Sequence, residues 1–260
     1  MSQFERNINP DYLRRSGEAL QGVKQLSYSL MNLSDAKHAL DVGCGTGLDF
    51  APMLALMPGD GVVTGVDISE AMISEAAKLV NAQSLDARVE LVSGSAMNLP
   101  FPSAYFDALR AERLFQVLSP EQYPPRELLC ELLRVVRPGG RIVLVDTDWA
   151  SASLDFPDID LERRMVDFFA RRCRPSGFAA RQFRAWMLDE GLRDVELYIL
   201  PQPMYDMDSC PLCSWLAEEA LMQGAASEAE ARHWMGLLGE RSASGSFFAC
   251  ANMLVAAGTV

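Results

Sequence analysis

A glycine-rich stretch, LDVGCGTGLDF at residues 40–50, constrains this chain more than any other part of it. Its first three residues are predicted to end a short apolar strand, and a helix is predicted from Leu48 onward. Between them, Gly43, Gly45 and Gly47 form a turn whose backbone can take positive φ or lie directly against a ligand. Strand, glycine turn and helix in this order are typical of a nucleotide-binding loop in a Rossmann-like sheet.

The glycine spacing differs from the dinucleotide fingerprint G-x-G-x-x-G, because Leu48 stands where the third glycine would be. The chain instead has D-x-G-x-G-x-G, which begins with Asp41 inside the strand end. A dinucleotide brings a pyrophosphate to the helix N-terminus, whereas an acid beside the loop suits a cation. The stretch therefore resembles the cofactor loop of the class I S-adenosylmethionine (SAM) methyltransferases.

Composition limits the partners of the chain. Its net charge of −12 argues against nucleic acid, since a phosphate backbone needs a basic face. No stretch approaches the roughly 20 apolar residues of a membrane span, and the first residues lack the apolar region of a signal peptide. The six scattered cysteines favour a reducing cytoplasm. Cys210 and Cys213 have only two histidines in the whole chain to complete a zinc site, so we expect structural cysteines and no metal.

Asp67 is the second strong constraint, since it ends the predicted strand VVTGVD. A carboxylate at this point can accept hydrogen bonds from both hydroxyls of an unphosphorylated ribose. The alternative is that Asp67 only interacts with the N-terminus of the next helix, for which Ser69 is a suitable N-cap.

The third predicted strand, RVELVSG, leads into Ser95, Ala96 and Met97. Methyltransferases of the resembled class commonly have an acid where Ser95 stands, which accepts the adenine amino group. Here the serine hydroxyl or the backbone around Ala96 is expected to replace it. Met97 either covers the adenine face or belongs to the core.

Five strand–helix alternations predict a parallel sheet with right-handed crossovers. With the pieces in order, the chain resembles a class I SAM-dependent methyltransferase, similar to the branch of ubiquinone/menaquinone-biosynthesis and bacterial natural-product enzymes. The motifs that carry this resemblance lie within residues 38–150 and read DVGCGTG, GVD, LPF, FDA and RVVRPGG.

The resemblance implies an α/β fold: a Rossmann-like, seven-stranded, mostly parallel sheet with helices on both faces, an antiparallel final strand and a helical cap. Strands six and seven are expected at 195–200 and 247–256. SAM is the implied cofactor, with S-adenosylhomocysteine as product. Its expected contacts are Asp41, Gly43, Cys44, Gly45, Gly47, Asp67, Ile68, Ser95, Ala96, Met97 and Ala111.

We divide the chain into an N-terminal helical lid at 1–36, a SAM-binding core at 37–150, and a cap with the last two strands at 151–260. The first segment either closes over the ligand or pads the sheet. The cap is expected to face an organic substrate with apolar side chains, among them Met165, Phe168, Trp186 and Met222, or else to use them for its own packing. The substrate candidates are Tyr12, Tyr28, Arg113, Gln116, Trp149, Phe169 and Trp215.

Methyl transfer from a sulfonium is an in-line displacement, so alignment, worth ~7–11 kcal/mol, matters more than any single base. Relatives often carry histidine after strand four, where this chain has Gln116. We consider Asp148 and Glu112 as catalytic acids or bases. Arg113 is expected to hold an anionic group of the substrate or the methionine carboxylate. Local surface ion pairs are the alternative for each of these residues.

The leading hypothesis is a cytoplasmic methyltransferase, monomeric or homodimeric, that acts on an O, N or C atom of a small molecule in bacterial specialised or quinone-type metabolism. A protein or RNA methyltransferase is the second hypothesis, and the acidic net charge argues against RNA. The third is a SAM-binding protein of the same fold that acts as a cyclase, an isomerase or a scaffold.

Overall fold

The computed structural model describes residues 20–208 and 210–260 of the protein. Seven strands, numbered along the chain, form one sheet in the order β3-β2-β1-β4-β5-β7-β6. All neighbouring strands are parallel except that β7 runs antiparallel to both β5 and β6, as expected. The strands are β1 (His38–Val42), β2 (Val62–Asp67), β3 (Val89–Ser93), β4 (Phe106–Glu112), β5 (Val136–Leu154), β6 (Arg193–Met204) and β7 (Ala249–Thr259).

Helices connect these strands and add a separate layer before the last one. Short 3-10 turns lie at Leu33–Asp35, Phe115–Val117 and Ala179–Gln182, and a π turn lies at Phe169–Cys173. The α-helices in the described ranges are α1 (Gln21–Ser29), α2 (Phe50–Leu56), α3 (Glu70–Ala82), α4 (Pro125–Val135), α5 (Ile159–Phe168), α6 (Phe183–Asp189), α7 (Ser214–Met222) and α8 (Glu228–Ser244). None of these helices is long and apolar enough to cross a membrane.

Successive residues of a strand point to opposite faces of the sheet, and helices cover both faces. In β5, Ile142 packs with α4 and α6, whereas its neighbour Val143 packs with α1, α2 and α3. Each of these residues is fully buried. The near-continuous apolar run of β5 therefore reflects a strand with no solvated face.

The helical cap has a core of its own at one end of the sheet. Helices α5, α7 and α8 pack around Trp234, whose indole N–H donates to the carbonyl of Leu212 at 3.2 Å. Phe169 and Trp215 contact each other in this cluster, with ring centroids 5.6 Å apart. The alternative stated for the cap aromatic residues, that they pack its helices, is therefore the one that holds for both.

The glycines at 139–140 belong to β5 and do not end the preceding helix. Helix α4 ends at Val135, and β5 begins at the next residue. Gly139 has φ +82° and donates to the carbonyl of Val260 at 2.7 Å. A Cβ at Gly140 would stand 2.7 Å from the carbonyl oxygen of Asp107, so glycine is required by the approach of β4.

Candidate functional site

The glycine turn after β1 has the conformation that its sequence demands. Gly43, Gly45 and Gly47 have φ of +75°, +54° and +77°, values that residues with a Cβ rarely adopt. The N–H of Gly43 donates to the carbonyl of Val66 at 2.8 Å, which ties the turn to the end of β2. A Cβ at Gly47 would stand 2.5 Å from the ring of Phe50, so this glycine is also required by packing.

Asp67 fixes the same turn from the neighbouring strand. Its Oδ2 accepts from the N–H of Gly45 at 2.9 Å, and its Oδ1 accepts from the N–H of Ser69 at 2.9 Å. Ser69 caps α3 by accepting from the N–H of Met72 at 3.4 Å. Because each carboxylate oxygen can accept more than one hydrogen bond, Asp67 retains acceptor capacity toward the space in front of the turn.

A cavity of about 620 Å³ opens at the C-terminal edge of the parallel strands. Its loop end is formed by residues 43–46, 48–49, 67–68 and 94–97, and its far end by Lys24 and residues 112–114, 116–119, 122–123, 149 and 173–175. The predicted residues that line it are Gly43, Cys44, Gly45, Asp67, Ile68, Ser95, Ala96, Met97, Glu112, Arg113, Gln116 and Trp149.

Three predicted cofactor residues lie behind the residues that line the cavity and do not line it themselves, as far as the described residues show. Asp41 is buried in the sheet, Gly47 packs against Phe50, and Ala111 belongs to the core on the side of α4. The hydroxyl of Ser95 accepts from the N–H of Met97 at 3.2 Å, so part of its acceptor capacity is already used.

A buried ionic cluster beneath the loop end went unnoticed in the sequence. Arg110, which is fully buried, donates to Ser27 Oγ at 2.9 Å and lies 3.3 Å from carboxylate oxygens of both Asp41 and Asp49. It also pairs with Glu112. The signal was present, because a charged residue in the middle of an apolar strand needs buried partners.

Helix α1 completes this cluster from the opposite side. Lys24 Nζ lies 2.6 Å and 2.8 Å from the two carboxylate oxygens of Asp49, and 3.3 Å from Glu112 Oε1. Tyr28 donates its phenolic O–H to Asp49. Burial, followed by the charge of Asp49, raises the pKa of Tyr28. Tyr28 therefore belongs to the ionic cluster and does not line the cavity as the described residues form it.

The charges of the cluster shift its carboxyl groups in opposite directions. Burial raises the pKa of the Asp41 carboxyl, although Arg110 opposes this shift. For Asp49, burial acts the same way, but Arg110 and Lys24 outweigh it and hold the pKa below its usual range. Burial is likewise outweighed at Glu112, where Arg110 and Lys24 lower the pKa. Glu112 lies on the cavity wall but is a poor proton acceptor.

A second set of hydrogen bonds holds the far end together. The backbone N–H of Gln116 donates to Asp146 Oδ2 at 2.9 Å, and the side-chain oxygen of Gln116 accepts from the indole N–H of Trp149. Burial raises the pKa of Asp146 to about 7, against the two backbone N–H groups of Gln116 and Thr147 that donate to it. Sequence reasoning named Gln116 and Trp149 separately and did not predict their contact.

Several predicted residues lie away from the cavity as the described residues form it. Asp148 accepts from Arg181 Nε at 2.8 Å and is 6% exposed, so the alternative of a local ion pair holds for it. Phe169 and Trp215 are in the core of the cap, Trp186 packs against Phe115 beside α4, and Met222 is exposed. None of these side chains lines the cavity as the described residues form it, and Phe169, Trp186 and Trp215 follow the stated alternative of packing the helices. Tyr12 lies outside the described residues.

The cap nevertheless reaches the far end through one short segment. Cys173 ends the π turn, Arg174 and Pro175 follow it, and all three contribute to the cavity wall. The guanidinium carbon of Arg174 lies 5.8 Å from the ring centroid of Trp149. Within residues 20–208 and 210–260, no group of three His, Cys, Asp or Glu side chains is arranged to hold a metal ion.

Comparison with known sequences places a family match on the sheet. Residues 39–140 match the family model described as "Methyltransferase domain". The chain is 27% identical to an uncharacterized 37.1 kDa protein in transposon TN4556 of Streptomyces fradiae, over 92% of this chain and 67% of that protein. It is 39% identical to a demethylmenaquinone methyltransferase of a Geobacillus species over 45% of this chain, and it spans about half (48%) of that protein's length.

Solved structures share the fold at low sequence identity. YcgJ of Bacillus subtilis matches with a TM-score of 0.64, 18% identity and coverage of 92% of this chain and 98% of that one. Geranyl diphosphate C-methyltransferase of Streptomyces coelicolor, in complex with S-adenosyl-L-homocysteine, matches with a TM-score of 0.57 and 16% identity. The match covers 92% of this chain and 78% of that one. The [4+2]-cyclase SpnF matches with a TM-score of 0.57 and 20% identity, over 93% of this chain and 82% of that one.

Proposed function

Residues 39–140 form a methyltransferase domain of the class I SAM-dependent type, and we propose that the chain transfers a methyl group from SAM to an oxygen, nitrogen or carbon atom of a small organic acceptor. One observation carries this proposal: a single cavity extends from the glycine turn and Asp67 to the far end lined by Gln116 and Trp149. A cavity of about 620 Å³ of this kind suits small-molecule ligands.

The loop end has the groups that SAM requires. Asp67 retains acceptor capacity for ribose hydroxyls, and the positive-φ glycines allow a ligand to approach the backbone of the turn. Ile68, Ser95, Ala96 and Met97 line the adjoining wall, where we place the adenine. Bound SAM supplies an electrophilic methyl group on its sulfonium.

The chain's own contribution is alignment rather than proton removal. Glu112 is held by Lys24 and Arg110, which lower its pKa, and Asp148 is paired with Arg181. General-base catalysis typically contributes about 10²–10⁴-fold, whereas alignment of the reacting groups contributes ~7–11 kcal/mol. A site that positions the acceptor and excludes water is therefore sufficient for transfer.

We place this activity in bacterial specialised or quinone-type metabolism, in the cytoplasm, by a monomer or homodimer. The sequence likeness to a demethylmenaquinone methyltransferase and the fold likeness to a geranyl diphosphate C-methyltransferase support small organic acceptors. The net charge of −12 supports the absence of nucleic acid among the partners.

Isothermal titration with SAM and with S-adenosylhomocysteine tests the first half of the proposal. We expect micromolar binding of both ligands. If neither ligand binds, the glycine turn is only structural and the proposed function is wrong.

A second candidate is a reaction of the same site without methyl transfer. The fold likeness to the [4+2]-cyclase SpnF is the observation that favours it. Incubation with SAM labelled in its methyl group separates the two functions once an acceptor is in hand. Label in the product supports methyl transfer, whereas a product of unchanged formula without label supports a cyclase or isomerase.

A further inference from the structure

The side chain of Gln116 is fixed with its amide nitrogen toward the far end of the cavity. The indole N–H of Trp149 can only donate a hydrogen bond, so the atom of Gln116 that it meets is the amide oxygen. The two N–H groups on Nε2 then remain, and among the described residues no acceptor takes them. Gln116 is 4% exposed and lies on the cavity wall, so these donors face the cavity.

The surroundings of Gln116 prevent its amide from turning over. The backbone N–H of Gln116 donates to Asp146, and its backbone carbonyl accepts from the N–H of Ser176 at 3.3 Å. Trp149 is also fixed. Its backbone N–H donates to the carbonyl of Gly177 at 3.1 Å, and its ring centroid lies 5.0 Å from that of Phe169. A reversed amide would leave the buried indole N–H facing a second donor, which is costly in a dry site.

The far end supplies donors but no available base. Glu112 contributes the one carboxylate of this end within the described ranges, and three cations, Lys24, Arg110 and Arg113, lie within 3.4 Å of it. Because no unpaired carboxylate lines this end among the described residues, we expect an acceptor to lose its proton to solvent before transfer. It therefore needs an acidic hydroxyl group whose anion persists at neutral pH.

The walls of the far end indicate the shape of that acceptor. The apolar side chains of Trp149, Leu118 and Pro175 contribute to the wall of this end. The guanidinium carbon of Arg174 lies 5.8 Å from the ring centroid of Trp149, the residue that donates to Gln116. Oriented donors in a water-poor site stabilise a delocalised negative charge.

We propose that the acceptor is a flat, conjugated hydroxy-carbonyl compound that binds as its enolate or phenolate anion, with Gln116 Nε2 donating to an oxygen of that anion. This inference rests on the proposed function. In the transfer, an electron pair of the conjugated anion forms the bond to the methyl carbon. The carbon–sulfur bond breaks with its pair left on sulfur, which gives neutral S-adenosylhomocysteine and a neutral methylated product.

Binding of a matched pair of probes tests the proposal without knowledge of the natural acceptor. The probes are the hydroxynaphthoquinone lawsone, which is ionised at neutral pH, and its neutral methyl ether. Equilibrium dialysis with saturating S-adenosylhomocysteine gives both dissociation constants. We expect the wild-type protein to bind the anion at least about tenfold more tightly, as one charge-assisted hydrogen bond allows.

Two variants and one control separate the donor from general electrostatics. Gln116→Glu keeps the acceptor for Trp149 but replaces the donor by a negative charge, so the preference for the anion should disappear. Trp149→Phe keeps an aromatic ring but releases the amide, so the preference should fall. Gln83→Glu makes the same charge change on the exposed surface after α3, where screening should leave the preference within about twofold.

The outcomes distinguish this inference from the function beneath it. Loss of S-adenosylhomocysteine binding in the wild-type protein contradicts the proposed function itself. Binding of S-adenosylhomocysteine with equal affinity for the two probes, or with no affinity for either, overturns only the acceptor class. A preference that survives in Gln116→Glu or is unchanged in Trp149→Phe overturns the role of the oriented amide.

Discussion

The backbone N–H of Gly45 donates a 2.9 Å hydrogen bond to Oδ2 of Asp67, so the carboxylate at the end of β2 holds the turn at the end of β1. The same carboxylate accepts from Ser69 at the start of α3. The two interpretations of Asp67 from sequence, a ribose acceptor and a partner of the helix start, are therefore compatible. One residue fixes the turn and faces the space that the turn encloses.

Replacement of Asp67 by alanine should weaken SAM binding by about tenfold, because charge-assisted hydrogen bonds to the ribose are lost. Isothermal titration measures the change. Asp60→Ala is the matched control, since Asp60 is exposed and pairs with Lys37 at the opposite edge of the sheet. Equal SAM affinity in Asp67→Ala and the wild-type protein would refute the ribose role.

Gly45→Val should abolish SAM binding while the chain remains folded. A β-branched residue is strained at φ +54°, and its side chain would enter the space that the turn leaves for a ligand. Gly59→Val is a suitable control, because a Cβ there meets nothing within 4 Å. Retained titration heat with SAM in a folded Gly45→Val protein would contradict our placement of the cofactor.

Arg110→Met should lower the free energy of unfolding by about 3–5 kcal/mol, since it leaves Asp41, Asp49 and Glu112 without their shared buried cation. Arg137→Met removes an ion pair with Asp107 in which the arginine side chain is 51% exposed, and it should cost no more than about 1 kcal/mol. Denaturant titration compares the two variants. Similar losses would show that the cluster contributes no more than a surface pair.

Asp146 should make the wild-type protein less stable as the pH rises. Burial raises the pKa of Asp146 from 3.8 to about 7, so between these values the folded state holds a proton that the unfolded state has lost. The free energy of unfolding then falls by up to about 1.4 kcal/mol per pH unit, and the loss is complete above the folded pKa. Burial raises the pKa of Asp41 to about 7 as well, so Asp146→Asn should reduce this slope in denaturant titrations across the same range and leave the part that Asp41 contributes. An identical slope in the variant would place the titration elsewhere.

Asp148→Asn should leave turnover within about twofold of wild type. Loss of the ion pair with Arg181 should affect the free energy of unfolding more than the rate of methyl transfer. Asp148 is bound to Arg181 away from the cavity wall as the described residues form it. The rate of labelled-methyl transfer is the measurement. A large loss of turnover with unchanged SAM affinity would restore Asp148 as a catalytic acid or base.

The family match at 39–140 and the sheet topology confirm the resemblance and the fold that the motifs predicted. They were accessible from sequence because they depend on local requirements. The positive φ values at 43, 45 and 47 demand glycine, and alternation of strand and helix demands a parallel sheet. The antiparallel β7 was expected only from the family resemblance, and the pairing of β7 with β5 and β6 confirms it.

Only the tertiary structure decided which polar side chains meet. Lys24 and Asp49 are 25 residues apart, Arg110 and Ser27 are 83 apart, and no local pattern joins them. The contact of Gln116 with Trp149 joins the 3-10 turn after β4 to β5, which are separated by a loop and helix α4. The aromatic residues Phe169 and Trp215 of the cap pack against each other and not against the cavity. The sequence by itself determined the sheet and the cofactor loop, because backbone conformation is set by neighbouring residues. The far end of the site is set by packing between distant segments, which burial and hydrogen bonding decide together.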